Sequence, residues 1–508
     1  MDAAAGHEML AAALGAEPLA SEYALRWLPR HLAALERWED LVALLTDLAF
    51  LAAAWERDEH EVLRLWAILE SEGNAAPEVY ATVLKRPDRV GTDLLEPLPQ
   101  LLRVLGHARD AEALRAHIVE RLRGGDDPMK LRDSLTKLAT LRSLLNDLDG
   151  AYALLLEAES ICREIDDPVG LQATMEHRAL VLMRQGRLKD AMALLTETEA
   201  ICRRLGLWDP LASSIIGQAT IRRRLGEMDQ ATQLLDEAER LALACGNPIR
   251  LRSVFGSQAR IARMRGDLPL ALTLDSQSER MCREVGAKGP LLLTLRAIAQ
   301  CLMDREDYEA ATGVLGEGRA ICEQFGVPTS TERVLGARAR LAHETGAHEQ
   351  ALKLLDEREA ICSRLRAEDG LLETLIGMAE VLVDAGRPEE ATSRLEQADE
   401  LLGIVRQPEM TLRFHAARVE ALRLLGDVEA ALAECGSFER LSRDLGAARY
   451  LGIALEQKAR LLMGGEEDAA ALSAAREALH LAESLPAPKC AARRAALMKA
   501  IAEADEPA

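Results

Sequence analysis

The sequence predicts an all-α solenoid of about ten helix pairs behind an N-terminal helical cap. Three observations carry that expectation. An alanine returns every forty residues, at Ala151, Ala191, Ala231, Ala271, Ala311, Ala351, Ala391, Ala431 and Ala471, with Ala111 extending the series backwards. A second series runs twelve residues ahead: Ala139, Ala179, Ala219, Ala259, Ala299, Ala339, Ala379 and Ala459, with Val419 the one larger member. Between the two lies a turn, usually glycine: Gly106, Gly186, Gly226, Gly266, Gly346, Gly386 and Gly426. A fixed period of this length is the mark of stacked supersecondary units.

The unit from Leu171 to Gly206 shows why the small residues recur. Leu171 to Arg184 has helical periodicity without internal Gly or Pro, Gln185-Gly186-Arg187 breaks it, and Lys189 to Leu205 forms a second helix stopped by Gly206 and then Pro210. Two helices joined by so short a turn pack antiparallel. Close approach needs a small residue on each facing surface, here Ala179 and Ala191; a larger side chain would overpack at about 1–3 kcal/mol per site.

Paired small positions twelve apart resemble the tetratricopeptide (TPR) repeat over roughly residues 91–490, in the long, kinesin-light-chain-like form. The period is forty rather than thirty-four, and aromatic positions of the family are aliphatic, as at Met175, Leu182 and Leu195. The resemblance implies a right-handed α–α superhelix whose first helices line a concave groove.

Taken in order, residues 1–19 are Ala-rich with breaks at Gly15 and Pro18, and Ser21 is placed to cap the next helix. Two helices follow, Glu22–Leu35 and Glu39–Ala53. The run Tyr23…Arg26-Trp27-Leu28-Pro29-Arg30-His31-Leu32…Arg37-Trp38-Glu39-Asp40-Leu41…Leu44-Leu45-Thr46-Asp47…Phe50-Leu51 resembles the helical segment after the ATPase core of apoptosome-type signalling ATPases. That core is missing from the sequence: nothing matches G-x-x-x-x-G-K-[ST]. The likeness therefore implies a detached sensor half, or a decayed or split relative. Residues 57–72 form a further helix ended by Gly73-Asn74, and residues 75–93, with Pro77, Pro87 and Gly91, form the seam that closes a cap over 1–90. The repeats begin near 91, 131, 171, 211, 251, 291, 331, 371, 411 and 451. The first is irregular at Pro97 and Pro99, with Gly124 to Pro128 as a joint after it. Glu306 replaces the turn glycine in one unit, and Gly464-Gly465 makes the last turn. A final helix over 487–504 closes the open end, giving a C-terminal capping helix and tail over 491–508.

Composition excludes more than it assigns. The chain has 508 residues, a net charge of −21 and 3% aromatics. A strongly acidic solenoid repels nucleic acid and anionic membranes. No apolar run reaches membrane-spanning length, Met1-Asp2-Ala3 lacks a basic leader, and free thiols on this scale argue for a reducing cytoplasm. Cys162, Cys202, Cys282, Cys322 and Cys362 share one repeat position, spaced like packed helices at about 10 Å. That is too far for disulfides or a shared metal, so they read as small buried side chains. His343-Glu344-Thr345-Gly346-Ala347-His348 is one residue too long for a helical zinc motif and crosses a turn. His107 and His117 carry no signal, and Gly316-Glu317-Gly318 falls inside a helix. Acidic pairs such as Glu157/Glu159, Glu197/Glu199 and Glu237/Glu239 read as a solvated outer face. No enzyme constellation, cofactor loop or metal site is expected.

One feature stands above this background. Carrying the groove positions of TPR proteins onto this chain places Arg223, Arg224, Arg260, Arg263, Arg296, Arg333 and Arg340 on the groove, with Gly256 and Gly336 leaving room, and Glu373, Glu380, Asp384, Glu420 and Glu456 nearer the C-terminus. Either these arginines clamp a carboxylate, phosphate or acidic peptide, or they pair with neighbouring carboxylates. The expected function is a non-catalytic scaffold or sensor that binds a protein or peptide partner, with a separate NTPase or effector in a bacterial signalling or defence complex as the refinement. The alternative is a receptor for a small peptide or anionic ligand that changes the pitch of the superhelix.

Overall fold

The computed structural model describes residues 3–15, 18–19, 22–325, 328–365, 367–405, 407–463 and 468–484. Among them every regular element is a helix, and no strand occurs. Ahead of the regular repeats run α1 (Ala3–Gly15), α2 (Glu22–Ala34), α3 (Trp38–Thr46), α4 (Leu48–Ser71), the short α5 (Ala76–Val79) and α6 (Ala81–Lys85), then α7 (Thr92–Leu95), α8 (Pro97–Leu105) and α9 (Ala108–Arg123). The pairs that follow are α10 (Pro128–Leu144) with α11 (Leu148–Glu164), α12 (Pro168–Arg184) with α13 (Leu188–Leu205), and α14 (Trp208–Arg224) with α15 (Met228–Cys245). Next come α16 (Pro248–Met264) with α17 (Leu268–Val285), α18 (Lys288–Asp304) with α19 (Tyr308–Phe325), and α20 (Pro328–Glu344) with α21 (His348–Leu365). The last are α22 (Glu368–Asp384) with α23 (Pro388–Leu402), α24 (Pro408–Leu424) with α25 (Val428–Asp444), and α26 (Ala448–Leu462) with α27 (Asp468–Ser484). The expected turn at Gly464-Gly465 and the final helix over 487–504 lie outside the described residues.

The helix pairs form for the reasons the alanines suggest. Ala151, Ala191, Ala231, Ala311, Ala351, Ala391 and Ala431 are fully buried, so each second helix meets its neighbours with no side chain beyond Cβ. The turn between the helices needs a left-handed residue: Gly186 sits at φ +75°, and the Arg187 N–H donates to the Leu182 carbonyl at 2.9 Å. Asn146 (φ +63°) and Glu306 (φ +62°) fill the same place with side chains.

Two compact units result. One holds the residues up to Gly246 together with Cys322–Thr329; the other holds Asn247–Ile321 and the residues from Ser330 onward. In the first, Leu28, Leu32, Leu41, Phe50, Trp66, Tyr80, Leu98 and Ile118 share one core. The buried Tyr80 hydroxyl donates to the Leu45 carbonyl at 2.6 Å. The N-terminal tryptophans thus have partners of their own: Trp66 is fully buried against Tyr80, and Trp27 lies between Arg26 and Arg30, each 5.1 Å from its ring. The helix expected over Glu39–Ala53 is broken at Asp47, whose carboxylate accepts from the Ala49 N–H at 2.9 Å and starts a new helix there. That helix runs on to Ser71 across a kink at Asp58, where the expected 57–72 segment begins.

The second helices are tied by charge as well as by packing; of the acidic pairs expected on a solvated face, Glu197 is exposed and Glu159 is buried. Arg203 joins Glu199 on its own helix to Glu237 of the next repeat (2.8 and 2.6 Å), and Arg283 joins Glu279 to Glu317 (2.5 and 2.7 Å). Glu159 is completely buried between Arg163 and Arg178. The reason is geometric: one repeat brings position i of a second helix beside position i+34 of the next, so an acid and a base in that register face each other. The exposed pairs are each worth at most about 1 kcal/mol; their value lies in repetition.

Candidate functional site

Among the described contacts, first helices touch one another directly. In the second unit α22 touches α24 and α24 touches α26; in the first unit α10 touches α12 and α12 touches α14. Each unit therefore has a face lined by neighbouring first helices. The seven arginines expected on that face divide between the units: Arg223 and Arg224 fall in the first, and Arg260, Arg263, Arg296, Arg333 and Arg340 in the second.

Arg224 has a structural task. Its guanidinium donates to the Met183 carbonyl (2.9 Å) at the C-terminal end of α12, as Arg184 does to the Ser143 carbonyl one repeat earlier. Such bonds satisfy carbonyls that a helix end leaves open. In the second unit, Arg260 and Arg263 of α16 both act on Asp275, a carboxylate of α17 that is only 3% exposed; burial pushes its pKa up to about 6 against the pull of these arginines. Arg263 also lies 3.9 Å from Asp304.

Arg296 of α18 and Arg333 and Arg340 of α20 are different. Burial and the charges of Arg340 and Arg333 hold the Arg296 guanidinium below its ordinary value. Its Nε is buried and meets no acceptor. Arg340 bonds to the neutral Gln300 amide (3.3 Å), and Arg333, half exposed, leans on Glu332 (3.3 Å).

Below them is a group that the sequence reading missed. Arg358, on second helix α21, is almost wholly buried and reaches the first-helix face. Its guanidinium donates to Glu332 from Nε and Nη2 (3.1 and 3.0 Å) and to Glu373 from Nη2 (2.6 Å). Gly336 makes the place for it: a Cβ there would stand 2.8 Å from Nη1 and 2.9 Å from Cζ. Burial alone would raise the Glu373 carboxyl, but Arg358, Arg340 and Arg413 bring it down to about 2. Arg413 of α24 in turn grips Glu380 of α22 at 2.9 and 2.5 Å. The signal for Arg358 is present in the register. The same position holds Ala158, Thr198, Ala238, Ser278, Gly318 and Ala398 in other repeats, with Phe438 the other large member, so an arginine there has to be accommodated by a neighbour. Asp275 is likewise marked, by the leucines Leu155, Leu195, Leu235, Leu315 and Leu355 of its series.

The acidic residues nearer the C-terminus are paired at home. Glu420 holds Arg423 (2.9 Å), Glu456 holds Arg460 (2.5 Å) and Asp384 holds His343 (2.7 Å). His343 is therefore hydrogen-bonded to a carboxylate of the next first helix. Around Arg296 the balance is unequal. Five guanidinium groups (Arg296, Arg333, Arg340, Arg358, Arg413) meet three carboxylates (Glu332, Glu373, Glu380). The geometry can receive an anion; it offers no nucleophile beside a base. Cys282 and Cys362 are buried, and burial pushes both thiols up, the second to about 11. Among the described residues no cluster has the makings of a metal site, and no helix is long and apolar enough to cross a membrane.

No protein-family model matches the chain, and no curated protein matches it. Among solved structures it is similar to a Rap protein complexed with competence and sporulation factor, at 13% identity and TM-score 0.48 over 80% of this chain and 96% of that one. It is also similar to yeast Tom70, at 13% identity and TM-score 0.48 over 90% and 98% of the two chains. A third is the apo form of the quorum sensor NprR from B. thuringiensis, at 13% identity and TM-score 0.47 over 67% and 98%.

Proposed function

We propose that this chain is a non-catalytic scaffold or sensor, and that the first-helix face of its second unit binds an acidic segment of a protein or peptide partner. One observation carries the reading: around Arg296, Arg333 and Arg340 the guanidinium groups outnumber the carboxylates, and the Arg296 Nε is buried without an acceptor. A carboxylate from a partner would relieve the mutual repulsion of the three arginines. Such charge-assisted bonds form bidentately with guanidinium groups. The paired acids at Glu380, Asp384 and Glu420 add no free negative charge beside them.

Within this reading Arg296 and Arg340 receive the anion, Arg333 stands at its solvent edge, and Arg260 and Arg263 extend the basic stretch on α16. Arg223 and Arg224 belong to the first unit and form no part of this subsite. The further refinement is that the partner is a separately encoded NTPase or effector and this chain is its sensor.

The test is a titration of a fluorescent Glu/Asp-rich peptide against the full chain and its Arg340→Glu and Arg333→Glu variants. Reversing a charge is expected to weaken binding at least tenfold and to flatten its salt dependence. Equal binding by the variants sinks the reading. Affinity purification from the source cell tests the refinement, which fails when no NTPase or effector is retained by the wild type.

A further inference from the structure

A cleft of about 980 Å³ lies beside α4, α8 and α10 in the first unit. It lies where the forty-residue pattern is least regular. Pro97 and Pro99 supply no backbone N–H, which interrupts the helical hydrogen bonding between α7 and α8, although Glu96 between them keeps helical dihedrals (φ −53°, ψ −41°). The volume lies at the upper end of what small-molecule sites occupy.

The lining has a definite charge pattern. Four of its five carboxylates are committed. Glu96 binds Arg115 and lies 3.7 Å from Lys137; Asp93 holds Lys130 at 3.3 Å. Asp133 holds Arg132 at 2.6 Å, and Asp127 caps α10 through the Lys130 N–H at 2.9 Å. The fifth, Glu59, attracts Arg103 through space but makes no hydrogen bond or ion pair with it. The Arg103 guanidinium has one partner, the neutral Gln100 amide at 2.9 Å, and burial holds it below its ordinary value. Arg115, also on the lining, has a side chain only 3% exposed and is committed to Glu96. The Arg103 guanidinium thus faces the cleft with donors to spare. Trp55 and Leu141 supply apolar wall.

We propose that this cleft is a binding site for a small organic anion, with a carboxylate or phosphoryl head on Arg103 and a flat or apolar body against Trp55 and Leu141. An anionic head supplies the charged acceptor that Arg103 lacks, in the planar geometry guanidinium groups prefer. A body that covers Trp55 makes the interaction stronger by excluding water from it. The site is independent of the second unit's arginines.

The experiment uses the full chain and five probes: benzoate, phenyl phosphate, the neutral isostere benzamide, acetate and inorganic phosphate. Binding is read by calorimetry and by tryptophan fluorescence. Benzoate or phenyl phosphate is expected to bind at least tenfold tighter than benzamide and tighter than the bare heads. Whichever of the two wins tells a carboxylate ligand from a phosphoryl one. Arg103→Gln is expected to weaken the winner at least tenfold while far-UV circular dichroism and Tm stay unchanged. Trp55→Phe is expected to retain binding and lose the fluorescence response, and Arg340→Glu to bind as the wild type does. The proposal is overturned when neither aromatic anion binds, when benzamide binds as tightly, when Arg103→Gln folds and binds unchanged, or when the fluorescence response survives in Trp55→Phe.

Discussion

Replacing Gly336 by alanine sets two effects of opposite sign against each other. In a helix interior alanine is favoured over glycine by about 1 kcal/mol. Gly336 lies well inside α20, so that gain applies. The added Cβ would stand 2.8 Å from Arg358 Nη1, 2.9 Å from Cζ and 3.1 Å from Nε. A guanidinium at the end of a free side chain would swing away. This one is fixed by Glu332 on one side and Glu373 on the other. Overpacking of this kind costs about 1–3 kcal/mol, so Gly336→Ala is expected to lose about 1 kcal/mol net. Gly256 is the internal control. It holds the same register position two repeats earlier, in α16, and a Cβ there meets nothing within 4 Å. Gly256→Ala should gain about 1 kcal/mol, opening a gap of about 2 kcal/mol between the two variants. In a repeat array stability is partly local. Hydrogen exchange of peptides from α20 and α21, and of peptides from α16 and α17, is therefore the assay, with urea unfolding alongside. The gap corresponds to roughly thirty-fold in local opening. If Gly336→Ala protects its segment as much as Gly256→Ala does, the Arg358 guanidinium is not held where its two carboxylates place it.

Other perturbations follow from the same packing. Arg358→Met leaves Glu332 and Glu373 facing each other without their shared cation, and a loss of about 3–5 kcal/mol in chemical unfolding is expected. Asp275 has a folded-state pKa of about 6, above its ordinary 3.8. The folded chain therefore keeps a proton that the unfolded chain releases. This contribution, of the order of 2–3 kcal/mol, is complete below about pH 4 and lost as pH rises through 6. Asp275→Asn should flatten that part of the stability–pH curve, and an unchanged slope between pH 4 and 7 speaks against it. Glu373 has the opposite sign: its pKa of about 2 lies below 4.5, so its contribution is present above 4.5 and lost as pH falls towards 2, a loss that Glu373→Gln removes. Glu306 turns the chain at φ +62°, where a side chain is strained, and Glu306→Gly should raise the unfolding midpoint by an amount worth about 0.5–1 kcal/mol.

The repeat architecture is written in the sequence because it depends on local, repeated constraints. Ala179 and Ala191 must be small for two helices to touch, Gly186 must turn left-handed between them, and the same demands recur every forty residues. One unit suffices to derive the rest, and the basic stretch from Arg260 to Arg340 follows once the first helices are known to share a face. What each arginine does there is another matter. Arg224 caps a neighbouring helix, Arg263 and Arg260 share a buried Asp275, and Arg296 is left with a donor unmet. These differences depend on which group stands opposite in space, often in another repeat. The same holds for Arg358: a long side chain at a position of small ones is visible in the sequence, but its burial depends on the space left by Gly336 and on two carboxylates from flanking first helices. The cleft beside α8 is of that kind too, since Pro97 and Pro99 announce an irregular repeat while only the packing of α4, α8 and α10 leaves a space lined by Arg103 and Trp55. Local sterics fix the helices and their period; charge compensation and volume are settled between residues far apart in the chain, and for that the tertiary structure is required.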